Sequence, residues 1–136
     1  MAGIRLGMAF ASPEIIDVLN KIKYPYNLNT LTQKKAGELI ENREQVEKWV
    51  KRIIAERVKM AELLKDFPFV IRVYHSDANF ILVKMHDASG IYEYLKEKGV
   101  IVRNRSAVHL CQDSLRITIG SSEENNTLLK ALKELI

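Results

Sequence analysis

Three arginines of this chain occur in contexts typical of anion recognition. Arg5 lies near the start of the apolar segment IRLGMAFA, Arg103 ends a run of three β-branched residues, and Arg116 lies inside SLRITIG. A guanidinium on a strand or at its end is held rigidly, and its planar fork suits bidentate contact with phosphate or carboxylate. The local sequence alone leaves a structural ion pair or an exposed strand residue open for each of them.

Other residue types with catalytic potential do not form a recognisable set. The histidines are His75, His86 and His109, and only His109 has a second metal-binding residue close by, Cys111 two positions later. One such pair is a weak signal for a metal, so we expect none. The sequence contains no P-loop, no GxGxxG and no nucleophile elbow.

Composition predicts a folded protein with one ordinary-sized domain. The chain has 136 residues, 47% hydrophobic and 28% charged, with a formal net charge of +4. A basic balance favours anionic partners, which include nucleic acid, anionic lipid and phosphorylated small molecules. No RNP-like strand or basic recognition helix is evident, so we expect no nucleic acid partner. The apolar runs are too short for a bilayer and no signal peptide is recognisable, which predicts a cytoplasmic protein without a membrane partner.

The first half of the chain reads as a strand followed by helices. Residues 4–11 predict a short strand that is buried on both faces. Ser12 and Pro13 then suit the cap and the first position of a helix, which Pro25 ends. A second helix is expected over residues 29–41, and a long third helix over residues 42–65, with apolar residues at helical spacing.

The second half changes to mixed elements. FVIRVYH and FILVKM predict two strands of a hairpin, Asp87 predicts the cap of a helix that ends at Gly99, and residues 100–103 predict a third strand. A fourth strand is expected over residues 115–119, and Ser121 with Glu124 predicts a capping box at the start of the last helix. The fold class is therefore α/β, of the α+β type, with a small, mostly antiparallel sheet and helices packed on it after long linking helices.

Four segments of the chain carry a resemblance to a known family. They are AGIRLGMAFASPEII from Ala2, PYNLNTLTQ from Pro25, GVIVRNR from Gly99 and SLRITIGSSEEN from Ser114. In order and spacing they resemble the histidinol-phosphate aminotransferases, which are fold-type I enzymes dependent on pyridoxal phosphate. The resemblance covers almost the whole chain and places it in the C-terminal portion of such an enzyme.

The resemblance implies roles for the three arginines. Arg5 resembles the arginine that binds the phosphate group of the pyridoxal phosphate cofactor. Arg103 and Arg116 resemble the two that hold the phosphate of the phosphorylated amino substrate, histidinol phosphate. In relatives that use dicarboxylates or amino acids, the position of Arg116 binds the α-carboxylate, so Arg103 is the stronger indication of a phosphate-bearing substrate. Arg105 and the loop of residues 106–113 border the same region, and no role is assigned to them. The family also implies a homodimer.

One feature of the family has no counterpart in these 136 residues. The lysine that carries the cofactor lies eight positions before the arginine matched by Arg5, and that position falls before Met1. We therefore expect no catalytic residue in the chain and no activity of the chain by itself. The implied division is a large-domain remnant over residues 1–28, linking helices over 29–66 and a small α/β domain over 67–136. The alternative is a separate α/β module that binds a phosphate-bearing ligand or a protein without catalysis.

Overall fold

The computed structural model describes residues 2–136, which divide into two compact units. The first unit is Met1–Lys48 and the second is Trp49–Ile136. Helix α3, Arg43–Lys65, contributes residues to both units. The predicted division into parts at residues 28 and 66 stays a prediction.

The first unit contains helices joined by irregular segments. A short 3-10 helix, Ala2–Ile4, precedes α1, Pro13–Ile22, and α2, Thr30–Glu41. The prediction of a strand over residues 4–11 was wrong, because these residues form no strand within the described part of the chain. A strand needs a hydrogen-bonded neighbour, and apolar composition does not supply one.

Helix α1 has an apolar face that the first unit does not bury. Pro13 occupies the first turn as expected, since its missing N–H costs nothing there. Ile15 is 54% exposed and Ile22 is 73% exposed, and none of the described residues of α1 is buried. Helix α2 begins where predicted, because the side-chain Oδ1 of Asn29 accepts the N–H of Thr32 at 2.8 Å.

The second unit contains a four-stranded sheet and the helices packed on it. The strands are β1, Val70–Val73; β2, Phe80–Met85; β3, Arg103–Asn104; and β4, Ser114–Thr118. The helices are residues 49–65 of α3, together with α4, Ala88–Glu97, and α5, Ser122–Lys133. The sheet order is β1-β2-β4-β3 and every pairing is antiparallel, so the predicted small antiparallel sheet is confirmed.

One face of the sheet forms the hydrophobic core. Alternate residues of β2 and β4 are at most 1% exposed and pack with buried residues of α3, α4 and α5. These strand residues are Ile81, Val83, Met85, Leu115 and Ile117. Because successive side chains of a strand point to opposite faces, the residues between them lie on the other face, which we call the open sheet face.

Strand β3 is shorter than its sequence suggests. The predicted strand covered residues 100–103, whereas the structure has only Arg103 and Asn104. The N–H of Val100 donates to the carbonyl of Leu95 at 2.8 Å, and Gly99 has a φ of 75°, so the chain is still completing the end of α4 there. Val102 is buried in the core.

Candidate anion-binding site

Arg116 lies on the open sheet face at the centre of β4. Its neighbours Leu115 and Ile117 are buried in the core, so alternation directs Arg116 to the opposite side. The Cζ atom of Arg116 lies 5.2 Å from the ring centroid of Phe80, which belongs to the adjacent strand β2. The aromatic face attracts the cation and fixes the position of the guanidinium.

Arg103 lies directly opposite Arg116. The two residues are register partners in the antiparallel pairing of β3 and β4. Directly opposite residues share a face of the sheet, with Cβ atoms about 4.5–5.5 Å apart. The structure therefore brings together the two arginines that are thirteen positions apart in the sequence.

Neither arginine has an anionic partner in the described chain. Among residues 2–136, neither guanidinium forms an ion pair with a carboxylate. The Nε atom of Arg116 is buried and makes no hydrogen bond within these residues, and the same is true of the Ser106 Oγ atom. A buried donor without an acceptor is costly, and an anion bound between the two arginines would supply acceptors.

The backbone around the pair is held by hydrogen bonds at both strands. The N–H of Arg105 donates to the carbonyl of Ser114 at 2.8 Å, which extends the pairing of β3 with β4 by one residue. The Ser106 N–H donates to the Asn104 side chain at 2.9 Å, and the Asn104 amide donates to Ser89 of α4 at 3.1 Å. These bonds fix the direction in which Arg103 leaves the sheet.

The C-terminal end of β4 is fixed by a buried asparagine. Asn125 is 4% exposed. Its Oδ1 atom accepts a hydrogen bond from the Gly120 N–H at 3.0 Å, and its Nδ2 atom donates one to the Gly120 carbonyl at 3.2 Å. Asn125 and Ser122 also donate to the two carboxylate oxygens of Glu56, at 2.8 and 2.7 Å. These hydrogen bonds hold the pKa of Glu56 below its ordinary value. Helix α3 is thereby tied to the turn that follows the Arg116 strand.

Arg5, the third predicted arginine, belongs to the first unit. It is exposed, follows the 3-10 helix and has a φ of 59°. Within the described residues its guanidinium forms no ion pair with a carboxylate. Its side chain is therefore open to an external anion.

Sequence reasoning missed further cations on the open sheet face. Register pairs Arg72 of β1 with Lys84 of β2 on that face, and Lys84 in turn with Ser114 of β4. The period-two alternation of FILVKM is the signal that could have found Lys84, because Lys84 falls on the same side as Phe80. This segment was predicted as a hairpin strand, and no role was assigned to Lys84.

The described residues were also compared with the requirements of a metal site and of a membrane-spanning helix. Among residues 2–136, no three His, Cys, Asp or Glu side chains converge in a way that could hold a metal ion. No helix in that range combines the length and the apolar character that crossing a membrane requires.

Comparison with known proteins relates the chain to one family. Residues 1–132 match the family described as aminotransferase class I and II. The chain is 54% identical over 134 residues to histidinol-phosphate aminotransferase of Parabacteroides distasonis, covering 98% of the chain and 39% of that protein. It is 50% identical over 133 residues to histidinol-phosphate aminotransferase of Bacteroides fragilis, with the same coverage. The chain thus spans about two fifths of the length of these relatives.

A solved structure has the same fold as the chain. The crystal structure of histidinol-phosphate aminotransferase from Clostridium acetobutylicum superposes with a TM-score of 0.80 at 24% identity, covering 90% of the chain and 37% of that structure. At this identity the likeness concerns the fold alone. Together with the match over residues 1–132, it confirms the α/β fold class predicted for the chain. The chain belongs to the class I and II aminotransferase family.

Proposed function

We propose that the chain is the substrate-phosphate-binding portion of a pyridoxal-phosphate-dependent aminotransferase of histidine biosynthesis. The reaction is the interconversion of histidinol phosphate and imidazole acetol phosphate, with glutamate and 2-oxoglutarate as the other pair. The names of the relatives from Parabacteroides and Bacteroides support this substrate. We also propose a cytoplasmic homodimer, on family likeness.

The observation that carries the proposal is the register pair of Arg103 and Arg116. Two guanidiniums on neighbouring strands offer several N–H donors toward one volume, which matches the three oxygens of a phosphate monoester. The phosphate would also accept a bond from the buried Nε of Arg116. An uncharged group in the same place would not neutralise the two positive charges, and it would accept fewer hydrogen bonds from these donors.

The proposed contribution of Arg5 concerns the cofactor. Its exposed guanidinium, without a carboxylate partner in residues 2–136, fits the phosphate group of pyridoxal phosphate by its chemistry. The bound cofactor supplies the electron sink for the amino transfer. Covalent attachment of the cofactor also needs a lysine, which the matched segments do not include, so the activity is proposed for a protein that provides one.

In such a protein, Arg103 and Arg116 would orient the substrate. Holding its phosphate at a fixed point lowers the entropic part of the barrier, because the amino end can then sample fewer positions. The aromatic ring of Phe80 keeps Arg116 aligned, and the Glu56–Asn125 hydrogen bond keeps the end of β4 in place. These residues position the substrate and take no part in bond making.

The test is a titration of the chain with histidinol phosphate and with histidinol, which lacks the phosphate. We expect histidinol phosphate to bind and to shift the backbone amide signals of β3 and β4, and histidinol to bind far more weakly. Arg103→Gln or Arg116→Gln should weaken binding roughly 10–100-fold, because each loses charge-assisted hydrogen bonds.

Lys130→Gln is the matched control, since it removes the same charge from the exposed surface of α5. It should leave the affinity unchanged. Equal affinity for the two ligands, or equal weakening by the control variant, would contradict the proposal.

A further inference from the structure

The open sheet face carries more cations than the pair assigned to the substrate phosphate. Strand register aligns Arg72, Lys84 and Ser114 in one row across β1, β2 and β4. Arg105 continues that row, because its N–H donates to the Ser114 carbonyl. This bond extends the register in which Arg103 pairs with Arg116 and Asn104 pairs with Leu115. The row therefore runs parallel to the row that contains Arg116 and Arg103.

Side-chain direction supports the place of Arg105 in this row. Arg103 faces the open side opposite Arg116, whereas the Asn104 amide reaches Ser89 of α4 on the helical side. Alternation then returns Arg105 to the open side. Arg105 and Lys84 are both partly buried, so part of each side chain lies along the sheet.

The geometry allows Lys84 and Arg105 to meet over Ser114. Each lies one strand away from Ser114, so their backbones are about 10 Å apart, at about 4.8 Å per strand. Ser114 is 1% exposed and its short side chain donates to the Gln112 carbonyl at 3.1 Å. Neighbouring side chains therefore already cover Ser114, and the partly buried Lys84 and Arg105, which flank it on the adjacent strands, are long enough to reach one anion above it.

The strands that carry this row contain no acidic residue, although Asp113 directly precedes Ser114 in the chain. No residue of the four described strands is Asp or Glu. Within residues 2–136, neither Lys84 nor Arg105 forms an ion pair with a carboxylate. Clustered charge of one sign raises the local concentration of the opposite ion.

We propose that Lys84 and Arg105 form a second anion subsite beside the Arg103–Arg116 pair. The two rows are two residues apart along β4, which is about 7 Å. The open sheet face would thus take one ligand with two anionic groups separated by a short spacer, of the bisphosphate class. The inference rests on the proposed function in so far as the first group occupies the Arg103–Arg116 pair.

The experiment compares two ligands that differ only in the second anionic group. Propane-1,3-bisphosphonate and propylphosphonate are titrated into the full chain by calorimetry at constant ionic strength. We expect one bisphosphonate per chain, bound about tenfold more tightly than propylphosphonate, since a second set of charge-assisted bonds forms. Inorganic diphosphate, whose anionic groups lack the spacer, should fall between them.

Substitutions in the second subsite test it separately from the Arg103–Arg116 pair. Lys84→Gln and Arg105→Gln should reduce the bisphosphonate advantage to about twofold, the statistical value for two equal ends, and leave propylphosphonate affinity nearly unchanged. Lys130→Gln should preserve the full advantage. Thermal unfolding of each variant checks that the fold is intact.

Each result decides one of the two hypotheses. The second subsite is overturned if the wild-type advantage is about twofold or less, if neither ligand binds at millimolar concentration, or if both Gln variants keep the full advantage. The proposed function fails separately if Arg103→Gln and Arg116→Gln leave propylphosphonate binding unchanged.

Discussion

Arg103 and Arg116 form an unfavourable cross-strand pair when no anion is bound. Like charges directly opposite each other in a sheet destabilise it. The cation–π contact with Phe80 compensates Arg116 in part, whereas Arg103 is exposed and has no such contact within residues 2–136. Arg103 therefore favours the binding of an anion but lowers the stability of the ligand-free sheet.

Replacing Arg103 with Gln should therefore stabilise the ligand-free chain. We expect the free energy of unfolding to rise by about 0.2–1 kcal/mol at low ionic strength, because the repulsion is removed. The gain should shrink as salt screens the charges. Urea unfolding at two salt concentrations measures it, with Lys130→Gln as the control for net charge. A loss of stability at low salt would show that Arg103 makes a stabilising contact.

At the level of residues, the sequence identified the arginines but not their arrangement. The separation of thirteen positions between Arg103 and Arg116 does not define the strand register, because the loop between β3 and β4 can adopt many conformations. The order β1-β2-β4-β3 also places Lys84 beside Ser114, although they are thirty positions apart in the sequence and α4 lies between them. Only strand pairing reveals that these cations share a face.

The sequence predicts those helices and strands of this fold that depend on residues close together in the chain. Ser121 and Glu124 form the predicted capping box, with the Ser121 N–H donating to the Glu124 carboxylate at 2.7 Å. The bond from Asn125 to Glu56 joins residues 69 positions apart, and no local pattern indicates it. The strand expected over residues 4–11 failed for the same reason, since strand formation depends on a distant partner.

The hydrogen bonds of Glu56 that join α3 to α5 should make the stability of the chain depend on pH. The folded-state pKa of Glu56 is lowered by the bonds from Asn125 and Ser122, so its contribution is fully present above the unfolded pKa, about 4.3. The contribution is lost as pH falls through the folded pKa. We therefore expect Glu56→Gln to be less stable than wild type near neutral pH, and the difference to shrink below about pH 4.

Urea midpoints measured from neutral to acid pH check this expectation. Glu62→Gln is the control, because Glu62 lies on the same helix and is exposed, with Lys65 as its ion-pair partner at 2.7 Å. A difference between wild type and Glu56→Gln that is constant with pH would contradict a titrating role for Glu56.

At the scale of the molecule, burial differs sharply between the two units. The second unit has a continuous core of buried residues from the sheet and three helices. In the first unit, Ala36 is the buried hydrophobic residue among those described, and the ten-residue α1 has none. An isolated helix shorter than about 12–15 residues is marginal in water without tertiary contacts.

Hydrogen exchange should reflect this difference. Amides of β2 and β4 are expected to exchange only through global unfolding, whereas α1 amides should exchange within about tenfold of the rate of an unfolded peptide. Exchange followed by NMR or mass spectrometry measures both. Protection of α1 equal to that of β4 would contradict the expectation, and a dilution series would then show whether association of chains supplies the missing contacts.

The two outer strands of the sheet are short and each carries an arginine. Strand β1 has four residues and includes Arg72, and β3 has two and includes Arg103. Long uncharged outer strands invite strands of other molecules to add to the sheet, the first step of fibrillar aggregation, and short charged ones resist it. Arg103 therefore protects a sheet edge in addition to its proposed contact with the substrate phosphate, and neutralising Arg72 and Arg103 together would remove a barrier against aggregation.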